Sequence, residues 1–205
     1  MAQLSKTFQY FTIALLCSLV FLGVGIILGY LQSPSPELRP SPAPSLIRTE
    51  FQLTNAQGKT VTNQDFPGKW QLIFFGFTHC PDICPTALDK MALILEGLGQ
   101  KSHKLQGIFI TLDPERDTPS IAGEYASTFY PTLLGLSGSS NDIQKTAAAF
   151  RVYYSRVEQM DLPDGYGIDH SGYFYLVNPQ GVFDRIFRWN DPAEDIITTL
   201  QKMLN

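Results

Sequence analysis

Residues Phe74 to Leu88 read FFGFTHCPDICPTAL: an apolar run, a Gly-Phe-Thr exit, then two cysteines four positions apart, each followed by proline. A short apolar run of this kind suits a strand buried on both faces of a parallel sheet. The residues behind it place Leu88, Met91, Leu95 and Leu98 on one helical face, so a helix running from Pro85 to Leu98 is expected. Pro85 is assigned its first position, which makes Cys80–Ile83 a tight turn. The two cysteines therefore stand where a buried strand passes into a helix, at the C-terminal edge of the sheet, the place where open α/β sheets tend to bind ligands. Unpaired N–H groups and the positive dipole end of the helix favour thiolate over thiol there.

Outward from this stretch the pattern repeats. LQGIFITL (Leu105 to Leu112) is a second buried strand, and Pro119 to Phe129 is a helix behind the capping pair Asp117-Thr118. Farther on, SGYFYLVNPQGVFDRIFRW alternates on either side of Asn178-Pro179-Gln180-Gly181 and predicts an antiparallel hairpin; Asp191-Pro192 opens a final helix. Strand, helix, strand, helix, hairpin, helix is the thioredoxin-like order within the α/β class. An earlier segment, FQLTNAQGKTVT, adds an N-terminal β-hairpin through Ala56-Gln57-Gly58.

The 205 residues are 44% hydrophobic with a formal net charge of −4, which suits one folded domain with additions. No Lys/Arg cluster appears, so nucleic acid is excluded as a partner. No charged residue occurs from Phe8 to Gln32, long enough for a helix across a hydrocarbon core of roughly 30 Å. No small-residue cleavage signal follows it. The expected organisation is a cytoplasmic tail (1–7), one transmembrane anchor (8–31), a Pro-rich linker (32–46) and a folded domain (47–205). Lys6 on the amino-terminal side orients the domain outward, to the periplasmic side of a bacterial inner membrane. Cys17 reads as an apolar membrane cysteine, and the spacing of Gly25 and Gly29 is too common in membrane helices to assign a dimer.

Three chemistries compete for Cys80 and Cys84. A permanent disulfide closing so short a loop gains only about 2 kcal/mol in the chain-entropy model, a poor staple. A redox couple of the thioredoxin kind has two residues between its cysteines, whereas three stand between these. The wider spacing leaves room for an ion, and a metal would want a third donor. The chain has three histidines. His79 adjoins Cys80 and is expected to turn away from the sulfurs; His103, in KSHK, reads as surface. His170, in DHSGYFYLVNP, is placed at the opening of the late hairpin, either as a turn or core residue or in a loop that leans over the cysteines. Asp113 and Asp117 read as capping or loop-structuring residues.

The chain resembles the Sco/SenC family of copper chaperones for cytochrome c oxidase assembly. The likeness rests on FFGFTHCPDICPTAL, TLDPERDTP (Thr111 to Pro119), YYSRV (Tyr153 to Val157) and DHSGYFYLVNPQG (Asp169 to Gly181), in that order. It implies a thioredoxin-like fold and copper held by Cys80, Cys84 and His170. It also implies a copper acceptor such as cytochrome c oxidase subunit II, and a copper donor protein. Two thiolates and an imidazole suit three-coordinate Cu(I); Cu(II) would want a further ligand, water or a carboxylate such as Asp161 or Asp164. Zinc usually closes its structural sites with four protein ligands, which the domain does not evidently offer. A metallochaperone needs no covalent catalysis. The competing expectation is a thiol:disulfide oxidoreductase in which Cys80 attacks and Cys84 resolves; a thiol peroxidase would want a general acid or separate resolving cysteine that nothing marks.

Overall fold

The β-branched and aromatic run Trp70–Gly76 forms a central strand, buried from Gln71 onward, because both of its faces are covered. The computed structural model describes Gly23, residues 47–160 and residues 165–204. The expected tail, the anchor apart from Gly23, the linker, Asp161 and Asp164 lie outside the described residues. No helix among the described residues is long and apolar enough to cross a membrane.

The strands are β1 (Gln52–Asn55), β2 (Thr60–Thr62), β3 (Trp70–Gly76), β4 (Leu105–Thr111), β5 (Leu134–Ser137), β6 (Tyr154–Glu158), β7 (Tyr166–His170), β8 (Tyr173–Val177) and β9 (Phe183–Arg188). The α-helices among residues 47–204 are α1 (Ile83–Gly97), α2 (Pro119–Phe129), α3 (Ser140–Phe150) and α4 (Ala193–Met203). Seven strands form one sheet in the order β2-β1-β5-β4-β3-β8-β9. Strands β3, β4 and β5 run parallel, with Trp70 opposite Leu105 and Ile108 opposite Leu134. Strand β8 returns antiparallel to β3, with Phe74 opposite Phe174. The period of two along β3 sends Leu72 and Phe74 into a core shared with Leu88, Met91, Ile94, Phe109 and Leu200. Ile73 and Phe75 enter the core on the other face with Ile143, Phe150 and Val177.

The mixed α/β, thioredoxin-like arrangement expected from the sequence is present: β3-α1-β4-α2 followed by the β8–β9 hairpin and α4. So is the N-terminal hairpin β1–β2, whose turn uses Gly58 at φ 72°. Three details differ. Helix α1 begins at Ile83, so Pro85 is its third residue; the missing N–H of proline falls among the first four, which have no partner inside a helix, and costs nothing there. A further unit, β5-α3, widens the sheet before the chain returns. Finally, His170 does not open the late hairpin. It ends β7, which pairs only with β6 in a separate two-stranded ribbon, Tyr154 opposite His170; the hairpin begins at Tyr173.

Candidate metal centre

Helix α1 starts with Asp82 at its N-cap, yet the Asp82 side chain makes no capping bond. The cap is sulfur: the Cys84 N–H donates to Cys80 Sγ at 3.4 Å, taking up a donor that an oxygen side chain usually satisfies. Cys80 is partly exposed and Cys84 is fully buried; both are free thiols. Cys84 Sγ fits because β3 ends in glycine beneath it: a Cβ on Gly76 would stand 2.7 Å from that sulfur.

The two sulfurs share a proton unequally. A hydrogen bond from the Cys84 thiol is the main influence pulling Cys80 down to about 5; burial opposes it, and the backbone N–H groups of Asp82 and Cys84, with His170 nearby, add to it. The same hydrogen bond, then burial, pushes Cys84 well above the ordinary thiol value. At neutral pH the pair is one thiolate and one thiol, ready to lose its remaining proton to a metal.

His170 lies beside the buried sulfur. Its ring meets Phe74 and Phe77 edge-on, with centroids at 6.0 and 6.2 Å. Its Nδ1 lies 3.2 Å from the Ser171 carbonyl oxygen. A carbonyl only accepts, so Nδ1 carries the hydrogen and the neutral ring directs the Nε2 lone pair elsewhere. That atom is 3.5 Å from Cys84 Sγ. Burial lowers the His170 pKa, favouring the neutral, ligating form. Among the described residues, no three His, Cys, Asp or Glu side chains are gathered about one point: the donors stand in the sequence Cys80, Cys84, His170. Their chemistry, two soft sulfurs and one imidazole nitrogen, fits Cu(I).

The other candidates fall outside this group. His79 Nδ1 meets Thr78 Oγ1 at 3.0 Å and Asp117 Oδ1 at 3.8 Å, consistent with a ring turned from the sulfurs. His103 is exposed and meets the Gln100 carbonyl. Asp117 does not cap α2; Thr118 does, its hydroxyl accepting from the Ile121 N–H. The buried Asp117 carboxylate instead accepts from the Thr78 N–H at 2.9 Å and from the hydroxyls of Thr78 and Thr111 at 2.5 and 2.6 Å. It therefore ties the residues leading to Cys80 onto β4. Asp113 is a loop-structuring residue, accepting from Arg116 Nε at 2.5 Å and from the Tyr166 hydroxyl at 3.0 Å. Sequence reasoning passed over Gly76, Phe77 and Tyr166; a glycine closing a buried strand beside a Cys pair was a usable signal for the first.

A family model described as SCO1/SenC matches residues 39–205. Among curated proteins, protein sco1 of Schizosaccharomyces pombe is 43% identical over 148 residues, covering 71% of this chain and 56% of its own length. The chain thus spans about half the length of that relative. Among solved structures, Arabidopsis thaliana ScoI with copper bound has a TM-score of 0.70 and 38% identity, covering 75% of this chain and 94% of its own. Bradyrhizobium japonicum ScoI with copper bound has a TM-score of 0.69 and 41% identity over 76% of this chain and 98% of its own. BsSco, described as a member of the Sco family of cytochrome c oxidase assembly proteins and as having a disulfide switch, has a TM-score of 0.59 and 26% identity over 76% of this chain and 91% of its own.

Proposed function

The chain belongs to the SCO1/SenC family, and on that premise we propose that it is a copper chaperone that serves cytochrome c oxidase assembly, with Cys80, Cys84 and His170 as its ligands. The observation that carries this reading is the approach of His170 Nε2 to Cys84 Sγ at 3.5 Å, across 86 positions of sequence. An imidazole nitrogen beside two sulfurs supplies the third donor that three-coordinate Cu(I) wants. The copper-bound relatives support copper as the cargo. Delivery proceeds by ligand exchange: a thiolate of the acceptor, proposed to be oxidase subunit II, enters the open position of three-coordinate Cu(I), and the chain's own ligands leave in turn. A separate protein donates the copper. Residues 8–31 serve as the inner-membrane anchor, residues 32–46 as the Pro-rich linker, and the domain faces the periplasm.

One observation favours a second reading, a thiol:disulfide oxidoreductase acting on cysteines of an oxidase subunit or another exported protein: Cys80 is held as a thiolate by an adjacent thiol that could resolve a mixed disulfide. The His170→Ala variant of the full chain separates the two. Both thiols remain, so reduction of a disulfide substrate persists, whereas Cu(I) affinity falls by at least the roughly ten- to hundredfold that losing an outer-shell partner costs, and host-membrane oxidase activity falls with it. Parental affinity and oxidase activity in this variant would overturn the chaperone reading. Loss of copper with oxidase activity intact would put thiol exchange in its place.

A further inference from the structure

The loop after β4, Leu112–Thr118, supplies none of the proposed ligands, yet it holds both halves of the site. Its last acid, Asp117, grips the sulfur half through the backbone and hydroxyl of Thr78. Its first acid, Asp113, grips the imidazole half. The buried Tyr166 begins the strand that His170 ends, and its hydroxyl donates to both Asp113 carboxylate oxygens, at 3.0 and 3.2 Å. The Tyr166 ring lies between two guanidinium groups, Arg116 at 3.6 Å and Arg156 at 3.4 Å from its centroid. Each arginine is tied to the loop, Arg116 through Asp113 and Arg156 through Glu115 at 3.2 Å. Arg116 also donates to the Tyr166 carbonyl at 3.3 Å and stands 5.9 Å from the Phe77 ring, which packs T-shaped with His170.

The loop is itself fixed. The N–H groups of Arg116 and Asp117 donate to the Asp113 carbonyl, the Asp113 N–H to Thr111 Oγ1, and Ser137 Oγ to the Asp117 carbonyl; Pro114 removes one backbone freedom. The ribbon, by contrast, is only two strands wide, and such a hairpin has little stability of its own. Its place against the body is set by side chains: Tyr154 and Ile168 pack on the core, and the clamp on Tyr166 fixes the start of the strand that His170 ends.

We infer that the loop Leu112–Thr118 is a spacer gauge for the metal centre: Asp117 sets the sulfur-bearing turn, the Asp113–Arg116–Tyr166 clamp sets the imidazole-bearing strand, and the rigid segment between them fixes how closely His170 Nε2 approaches the sulfurs. This rests on the copper-site reading above and adds Tyr166, Arg116 and Asp113 as positioning residues. It also accounts for two sequence motifs, TLDPERDTP and YYSRV, that contribute no ligand: they are the two sides of one clamp.

The test uses the full chain and four measurements: Cu(I) affinity, nitrogen hyperfine structure in the Cu(II) spectrum, the thiol/disulfide potential of the metal-free protein, and thermal stability. In Tyr166→Leu, Cu(I) affinity is expected to fall about tenfold or more and the nitrogen signature to weaken, while the thiol potential stays at the parental value. In Thr78→Val the pattern reverses: the potential moves and the nitrogen signature persists. If Tyr166→Leu does not fold, Tyr166→Phe keeps the ring and loses only the bond to Asp113; a smaller affinity loss at unchanged potential supports the gauge, and parental affinity overturns it. A folded Tyr166→Leu with parental affinity and nitrogen signature, or with the potential displaced as much as the affinity, also overturns it. His170→Ala is run beside these; parental affinity there overturns the copper-site reading, and the gauge with it.

Discussion

Cys80 and Cys84 are chemically alike in the sequence and unlike in the fold. Cys80 receives hydrogen bonds from a thiol and two backbone N–H groups and is held near 5, whereas Cys84, buried against Gly76, keeps its proton. A lowered thiol pKa means thiolate persists as pH falls until it passes through that value. Alkylation of the reduced, metal-free chain by iodoacetamide, with sites mapped by mass, should therefore label Cys80 ahead of Cys84 and show a rate midpoint near pH 5. Cys84 labelled first, or a midpoint in the ordinary thiol range, would contradict this arrangement. Gly76→Ala places a methyl 2.7 Å from Cys84 Sγ and 3.1 and 3.2 Å from Phe74 and Phe109. Overpacking of this kind costs about 1–3 kcal/mol, to be read from the urea midpoint, and it should also raise Cys84 labelling, because the sulfur is the neighbour best able to move.

At the scale of elements, Thr118 and Asp117 illustrate how adjacent residues divide two jobs. Thr118→Ala removes the cap of α2 and should cost about 1 kcal/mol with Cys80 labelling unchanged. Asp117→Ala leaves the Thr78 and Thr111 donors without their acceptor and should cost more than about 2 kcal/mol while altering Cys80 labelling; equal losses in stability and equal labelling would merge the two roles. The sequence shows a cap at this place but does not say which residue makes it, since Asp and Thr are both good N-caps. Strands β3 and β4 were legible as unbroken apolar runs buried on both faces, the hairpins through their turn residues, and the face of α1 through its helical period. Ribbon β6–β7 was not: Arg156, Val157 and Glu158 are all exposed, so no alternation marks it. Its position depends on contacts such as Arg116 with Tyr166, 50 positions apart. Sequence separation also hid the proposed third ligand, 86 positions from Cys84. The cysteine pair announces itself by spacing, whereas His170 was assigned as a ligand through the family resemblance, and its approach to sulfur follows from where the ribbon is clamped.

On the whole-molecule scale, the proposed cargo and the fold are linked through the same three side chains. A ligand that binds the native state alone stabilises it by RT ln(1 + [L]/Kd), about 2.7 kcal/mol at a free concentration of 100 Kd. For a domain of this size each kcal/mol moves Tm by roughly 2–4 °C, so Cu(I) buffered at that level should raise the melting temperature of the reduced chain by roughly 5–11 °C. Oxidation by diamide removes two electrons and the one remaining thiol proton from the Cys80–Cys84 pair and joins their sulfurs, diamide taking its second proton from water, and leaves no thiolate to ligate. The oxidised chain should therefore fold, since the pair lies within one turn at the start of α1, yet show no copper-dependent rise. His170→Ala should fall between the two, because two sulfurs without the imidazole make a weaker site. Scanning calorimetry of the three forms, each with and without buffered Cu(I), checks the ordering. An equal rise in the oxidised chain would place the copper elsewhere on the molecule, and an equal rise in His170→Ala would leave the buried imidazole without a part in binding.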